Sequence, residues 1–396
     1  MEHYRYLIVG GGMAADAAVE GIRSLDGDGT IGLIGAEPHP PYDRPPLSKG
    51  LWHDTSEAKI WRGTADRGVD LRLGRRVVSL ELGDRRAVDD GGTTVAFDTL
   101  LLATGGAPRR LPFGGDDVIY FRTLDDFHRL RAASGEGRRF AVVGGGFIGF
   151  EIAAALAATG GRVTMVFPER AVGGRLFPAA LARAVTEDYL ERGVEVLARH
   201  EAVGIERRGG VSAVEVRSLS GSATRTLEVD TVVAGIGIRP ETTLAEEAGL
   251  EVGNGIVVDD HLRTGVPGVW AAGDAASTIN PVTGERWRVE HEDNALSTGR
   301  ASGRAMAGDD SPYDHVPFFY SDLFESGFEA VGELDASAET VSDWQEPQHK
   351  GVVYYLRGER VRGVLLWNVW EQVDAARALL REEGPHRARD LVGRIR

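Results

Sequence analysis

The sequence contains no cysteine. That excludes disulfide staples, thiolate metal sites and every mechanism that passes electrons through a protein thiol. Lysine is nearly as scarce: Lys49, Lys59 and Lys350 stand alone among 45 basic residues, the rest being arginine. No run of about 18 apolar residues occurs, so neither a transmembrane helix nor a membrane partner is expected. Basic residues are outnumbered by acidic ones, 45 to 60, leaving a formal net charge of −15. Such a balance repels a nucleic-acid backbone unless a local basic face compensates. The basic clusters are all short, such as Arg75-Arg76, Arg109-Arg110 and Arg138-Arg139, and scattered pairs of this kind are ordinarily solvated surface. Nucleic acid is not expected as a partner, and no metal is expected.

What is present suits a soluble globular chain. Its 396 residues are 42% hydrophobic and 27% charged, enough for two or three domains with ample cores. The first strand-like run, Tyr6-Leu7-Ile8-Val9, begins almost at the start. That leaves no room for a signal or transit peptide, and a cytoplasmic location is the expectation.

Two glycine-rich turns then organise the chain. Tyr4 to Val9 reads as a buried strand, followed at once by Gly10-Gly11-Gly12-Met13-Ala14-Ala15 and a helix from Ala14 to Ile22. In this G-x-G-x-x-A pattern, Gly10 permits the tight turn and Gly12 lets a pyrophosphate approach the backbone. Ala15 keeps the helix close to the strand, and the helix N-terminus faces the phosphates. A second strand, Thr30 to Ile34, ends just before Glu37, whose carboxylate can accept hydrogen bonds from an adenosine ribose. The construction recurs with the strand Arg139 to Val143, the turn Gly144-Gly145-Gly146-Phe147-Ile148-Gly149 and a helix through Ala158. Its next strand, Arg162 to Phe167, leads to Glu169. A single such turn closes many strand–helix junctions without a ligand. Two copies, each with an acid downstream, predict two bound nucleotides, or one nucleotide cofactor and one nucleotide substrate.

Two shorter motifs follow. Leu100-Leu101-Leu102-Ala103-Thr104-Gly105-Gly106 reads as a buried strand ending in small residues. Gly268 to Ala276 reads as another, with Gly273-Asp274 at the start of a helix. Asp274 either caps that helix or holds a cofactor's sugar-like chain.

These residues resemble flavoprotein reductases of the glutathione-reductase fold, and within them apoptosis-inducing factor and the oxygenase-type ferredoxin reductases. The likeness runs nearly end to end. Pro41-Tyr42-Asp43-Arg44-Pro45-Pro46-Leu47-Ser48-Lys49 is close to a signature of that subgroup, while Ala103-Thr104-Gly105 and Gly273-Asp274 belong to the wider superfamily. Phe167-Pro168-Glu169-Arg170, Val289 to Ala295 and Val364 to Asn368 resemble apoptosis-inducing factor more than the reductases.

The resemblance implies an α/β fold with two Rossmann-like dinucleotide-binding domains plus a C-terminal α+β domain. FAD would bind residues 1–111 with 240–310, NADH would bind 112–239, and 311–396 would form a cap. It implies that the first glycine turn, Glu37, Arg44, Lys49, Val78, Arg122 and Asp274 hold FAD. The second turn, Glu169, Arg175 and Gly237 would hold NADH. Glu290, His291, Tyr320, Glu329 and Asn368 would lie around the flavin and nicotinamide rings. Lys49 and Glu151 would form an ion pair beside the flavin nitrogen that receives hydride, a role for which a compact lysine charge is suited. Catalytic roles thus fall on Lys49, Glu151, His291 and Tyr320.

Departures from the family pattern limit what carries over. Tyr320 stands where the family usually has tryptophan, and Glu292 replaces a second histidine of the apoptosis-related proteins. No mitochondrial leader, membrane segment or basic nucleic-acid surface is recognised, so the death function is not expected. Glu169 favours NADH over NADPH, because a 2′-phosphate would sit against its charge. Against this, the usual acid position is occupied by Phe167, and Arg170 and Arg175 lie near enough in sequence to accept a phosphate.

Two readings fit. In the first, electrons pass to a small [2Fe–2S] ferredoxin serving an oxygenase or cytochrome P450. In the alternative the chain resembles apoptosis-inducing factor as a slow NADH oxidoreductase and redox sensor, holding NAD against reduced flavin in a stable charge-transfer complex. The assembly is expected to be a monomer or homodimer. A ferredoxin surface is usually acidic, so a docking face would be locally basic; Arg72, Arg75, Arg109, Arg110, Arg300 and Arg304 are the candidates.

Overall fold

The run Tyr6-Leu7-Ile8 is apolar on both faces and is completely buried, as the centre of a parallel sheet requires. It lies in the strand Glu2–Val9, which pairs in parallel with Ile31–Gly35 on one side and Thr94–Leu102 on the other. Val69–Leu73 extends the first edge and Val269–Ala271 the second, both in parallel. Arg86–Asp89 and Val77–Glu81 add an antiparallel wing.

The computed structural model describes all residues from Met1 to Arg396. It separates into two units, one of Met1–Pro45, Ser56–Ala107 and Arg239–Phe318, the other of Pro46–Thr55, Pro108–Ile238 and Phe319–Arg396. No helix is long and apolar enough to cross a membrane.

In the first unit, the helix after the glycine turn, Met13–Arg23, packs on Glu292–Met306 through glycine. A Cβ at Gly299 or Gly303 would collide with the Ala14 or Ala18 carbonyl, and one at Gly21 with that of Arg300. Helix separation follows the size of the side chains at the contact, so these two helices meet almost backbone to backbone. The expected helix at Gly273-Asp274 is corrected here. Gly273–Ala275 forms only a single 3₁₀ turn with Asp274 inside it, and the chain continues as the strand Ala276–Ile279. That strand pairs with Gly255–Val257 and Arg286–Trp287, and sheet pairing ends the turn.

The second unit repeats the first unit's arrangement around its central strand. Arg139–Val143 is flanked in parallel by Arg162–Phe167 and Thr231–Ala234, with Glu195–Ala198 and Val118–Tyr120 at the edges. The antiparallel strands His200–Arg208, Val211–Ser218 and Thr224–Val229 form a separate sheet. A five-stranded sheet runs in the order Phe318–Leu323, Ser326–Gly332, Arg360–Trp367, Lys350–Arg357, Glu339–Glu346. The hairpin of its last two strands in sequence turns at Gly358 and Glu359, both left-handed at φ 56° and 59°, the geometry that matches strand twist in two-residue loops. The following helix, Val373–Arg381, begins just after Glu371, which is left-handed at φ 62°.

Candidate dinucleotide sites and the Lys49–Glu151 pair

Both glycine turns have the same construction. Gly10 and Gly144 sit at φ 132° and 123°, where an L side chain is strained. A Cβ on either would also collide with a carbonyl oxygen, that of Ala103 in the first fold and of Gly235 in the second. Those carbonyls follow the strands Thr94–Leu102 and Thr231–Ala234, so each turn lies where the strand order reverses, the usual crevice for a dinucleotide. At Gly12 and Gly146 a Cβ would meet nothing within 4 Å. Each of these residues precedes a helix that no side chain caps, leaving backbone N–H groups directed at open space. The two cradles fit a pyrophosphate each.

Around the first cradle, Glu37, Tyr42 and Arg44 close a triangle. Tyr42 donates to Glu37 at 2.6 Å, and Arg44 donates to Tyr42 at 3.0 Å and also to Glu37. Burial disfavours the Arg44 cation, but Tyr42, Glu37 and Asp274 outweigh it and raise its pKa. The turn Ala103-Thr104-Gly105 is tied to Glu241, which accepts from Thr104 Oγ1 at 2.6 Å and donates to the Gly105 carbonyl at 2.9 Å. Sequence reasoning missed a second network. Asp16, completely buried on the first helix, accepts from Arg62, Thr64 and Arg67 at 2.5–2.6 Å, and Arg62 also holds Asp43. This network pins the Pro41 to Lys49 signature at its N-terminal end. An acid among the alanines of Met13–Arg23 was the available signal.

Around the second cradle, Phe167 is buried with its ring beneath Gly145 and cannot reach a ribose. Glu169 lies two residues beyond the strand, and its carboxylate meets Arg175 Nε at 2.5 Å. Gly237 is left-handed at φ 88°, and its carbonyl accepts from Arg109 N at 2.9 Å. Gly235 was not singled out from sequence, although Gly235-Ile236-Gly237 occupies in this fold the place of Ala103-Thr104-Gly105 in the first.

The expected ion pair is present within the second unit. Lys49 Nζ donates to Glu151 Oε1 at 2.6 Å, with side-chain exposures of 14% and 4%. Glu151 is the only charged residue on the helix Phe147–Ala158, and two hydroxyls also reach it. Ser48 Oγ donates to Oε2 at 2.6 Å and Ser321 Oγ to Oε1 at 2.5 Å. Lys49 Nζ stands 5.2 Å from the centre of the Tyr320 ring, within cation–π range. Burial pushes the neighbouring Asp322 carboxyl above its usual range; Lys49 opposes the shift and Glu151 adds to it. Trp52 fixes this segment by donating to the Leu47 carbonyl at 2.7 Å and meeting Phe127 edge-on at 5.6 Å. Neither serine was identified from sequence, since nothing local marks a residue 170 positions from its partner.

The remaining expected residues divide between the units. In the first, Glu290 pairs with Arg288 at 2.5 Å, and His291 stands immediately before the helix Glu292–Met306. Asp293 on that helix meets His315 Nε2 at 2.6 Å and accepts from Phe318 N at 3.0 Å. Val78 lies on Val77–Glu81 with its side chain exposed. In the second unit, Arg122 N donates to Asp126. Asn368, left-handed at φ 51°, accepts from Gly327 N at 2.8 Å. Glu329 keeps one buried carboxyl oxygen without a hydrogen-bond partner, and burial raises its pKa. The candidate docking arginines have local partners: Arg72 with Glu2, Arg75 with Asp90, Arg109 with the Ile238 carbonyl, Arg110 with Asp116, Arg300 with Glu20 and Arg304 with Asp309.

Two pyrophosphate cradles in one cysteine-free chain, with a buried lysine–glutamate pair, define a two-dinucleotide oxidoreductase. The chain belongs to the pyridine nucleotide-disulphide oxidoreductase family, whose model matches residues 4–299. The C-terminal model of mitochondrion-associated apoptosis-inducing factor matches residues 344–382. The chain is 34% identical over 390 residues to the ferredoxin–NAD(+) reductase component of the anthranilate 1,2-dioxygenase system of Burkholderia cepacia, covering 95% of this chain and 93% of that protein. It is 32% identical over 422 residues to mitochondrial apoptosis-inducing factor 1 of Dictyostelium discoideum, covering 96% and 79%. Among solved structures, the covalent putidaredoxin reductase–putidaredoxin complex superposes with a TM-score of 0.87 at 29% identity, covering 97% of this chain and 94% of that one. A ferredoxin reductase from Rhodopseudomonas palustris superposes at 0.88 with 29% identity, covering 99% and 98%. Family membership carries FAD and a pyridine nucleotide as cofactors, and the residues of both cradles fit them.

Proposed function

We propose that this chain oxidises NADH and passes the electrons, through FAD, to a small iron–sulfur ferredoxin that serves an oxygenase or cytochrome P450. The observation that carries this reading is the combination of two nucleotide cradles with a complete lack of cysteine. A family member without thiols has no dithiol relay, so electrons must leave directly from the flavin. The names of the dioxygenase-system and putidaredoxin-type relatives supply the acceptor class.

In this reading the first cradle, with Glu37, Arg44 and Asp274, holds FAD, and the second, with Glu169, Arg175 and Gly237, holds NADH. FAD when bound supplies a two-electron acceptor that can release electrons singly. Lys49 holds a desolvated cation beside the ring, where it offsets the charge arriving with hydride. Glu151 fixes that cation and moderates it. Tyr320 covers the ammonium, while Glu290, His291, Glu329 and Asn368 line the rings. The domain assignment follows: residues 1–111 and 240–310 for FAD, 112–239 for NADH and 311–396 as the cap.

The second reading is an apoptosis-inducing factor-like NADH oxidoreductase that retains oxidised nicotinamide against reduced flavin. The match at residues 344–382 favours it. Anaerobic stopped-flow with NADH separates the two. Prompt reoxidation by a [2Fe–2S] ferredoxin supports the reductase; a persistent long-wavelength band that ferredoxin does not discharge supports the second reading.

A further inference from the structure

The Glu151 carboxylate has about four acceptor positions and three donors. They do not divide evenly. Lys49 Nζ and Ser321 Oγ both go to Oε1, whereas Ser48 Oγ goes to Oε2. Ser321 therefore shares Oε1 with Lys49, each donor polarising the oxygen that the other uses, and Ser48 does not. Ser321 is completely buried.

We infer that Ser321 is a positioning residue for the redox chemistry: its hydroxyl draws on Glu151 Oε1 and so sets how much positive charge Lys49 presents to the flavin. The inference rests on the proposed position of Lys49 beside the ring. A hydroxyl is neutral, so the net charge of the cluster is the same with or without it. What changes is the distribution. Without the Ser321 hydroxyl, Oε1 belongs to Lys49 alone, the pair tightens and its outward field weakens. A cation that is better neutralised offsets less of the charge brought by hydride, so the cofactor becomes harder to reduce.

The same strand supplies more than the hydroxyl. Phe318–Leu323 places Tyr320 against the ammonium and Asp322 within electrostatic reach of both Lys49 and Glu151. Three successive residues of the C-terminal sheet thus surround the pair, and Ser321 is the one hydrogen-bonded to its carboxylate. A purely structural serine would affect melting temperature and nothing at Lys49.

The test uses FAD-loaded, full-length protein and the variants Ser321→Ala, Ser321→Thr, Ser48→Ala and Lys49→Met. The flavin midpoint is read at fixed pH against reference dyes. Lysine methylene resonances are read with and without flavin, which is practical because only Lys49, Lys59 and Lys350 contribute. Ser321→Ala should lower the equilibrium constant for flavin reduction about tenfold, ~30 mV for a two-electron couple. It should move the Lys49 resonance while leaving Lys59 and Lys350 in place, even without flavin. Ser321→Thr should restore both readouts, and Ser48→Ala should shift the midpoint less than Ser321→Ala. If Ser321→Ala loses flavin, Ser321→Cys replaces it with the same direction expected, a thiol being only a weak donor. A wild-type midpoint in Ser321→Ala alongside a shifted one in Lys49→Met overturns this inference alone. An unshifted midpoint in Lys49→Met overturns the position of Lys49, and the inference with it.

Discussion

Glu169 and Arg175 face one another at 2.5 Å, the carboxylate 15% exposed and the guanidinium 78%. The acid is held two residues beyond its strand, whereas the arginine reaches it from solvent. A ribose diol can displace so exposed a partner, because surface ion pairs of this kind contribute only about 0–1 kcal/mol. A 2′-phosphate would instead need Arg175 to turn and Glu169 to withdraw. NADH should therefore give a higher kcat/KM than NADPH. Glu169→Ala should narrow the gap, and Arg175→Ala should widen it by removing the only nearby phosphate partner that already contacts the acid. Equal preference in the wild type would reassign the site to Arg170 and Arg175.

Asp274 lies in a 3₁₀ turn rather than at a helix cap, so it has no helix to stabilise. Asp274→Ala should release most of the flavin, seen as loss of yellow colour after gel filtration of a folded protein, with a melting temperature lowered to that of flavin-free wild type. A variant that keeps stoichiometric FAD would remove Asp274 from the site.

The two nucleotide folds were legible because their signals are local. Gly10, Gly12 and Ala15, like Gly144, Gly146 and Gly149, sit within six residues of one another and between a strand and a helix. The same locality explains the error at Gly273-Asp274: strand pairing with Gly255–Val257 and Arg286–Trp287 decides that turn, and no local pattern records it. Lys49 and Glu151 were paired through resemblance rather than spacing. Ser48 and Ser321 stayed hidden because serine is common and their carboxylate is 103 and 170 residues away. Phe167 was legible as a departure, since it stands where the family usually has an acid, and its ring packs under Gly145.

Burial raises the carboxyl pKa of Glu329 above 4.5, and the sign of its effect on stability follows. A carboxyl with a raised folded-state pKa destabilises the fold once ionised, so its penalty is absent below 4.5 and grows as pH rises through the folded value. Glu329→Gln in the flavin-free protein should melt above wild type at pH 7 and level with it near pH 4. A melting difference independent of pH would show that the buried oxygen is accommodated in its ionised form.

Thiol substrates should not be turned over. With no cysteine in the chain, a disulfide would have to accept electrons from flavin without the mixed-disulfide step by which thiolates exchange. Oxidised glutathione, thioredoxin and coenzyme A disulfide should each leave NADH consumption at background. Saturable turnover of any of them would contradict the proposed direct exit of electrons.

The role proposed for the Lys49–Glu151 pair gives the sharpest division between variants, because it requires the two members to act on the flavin with opposite sign. Lys49→Ala removes the cation that offsets incoming negative charge, so flavin reduction should slow and the midpoint should fall. Glu151→Gln leaves Lys49 in place, keeps a side chain of the same shape and removes the charge that moderates it. The midpoint should then rise. Breaking a buried pair by removing one partner can cost about 3–5 kcal/mol, so both variants need melting curves and flavin stoichiometry before their kinetics are read. Opposite displacements of the midpoint in two folded, flavin-loaded variants are the expected result, and only an electrostatic role produces them. A structural salt bridge would give two proteins destabilised alike, each with a wild-type midpoint and rate. That outcome would withdraw the catalytic assignment from both residues.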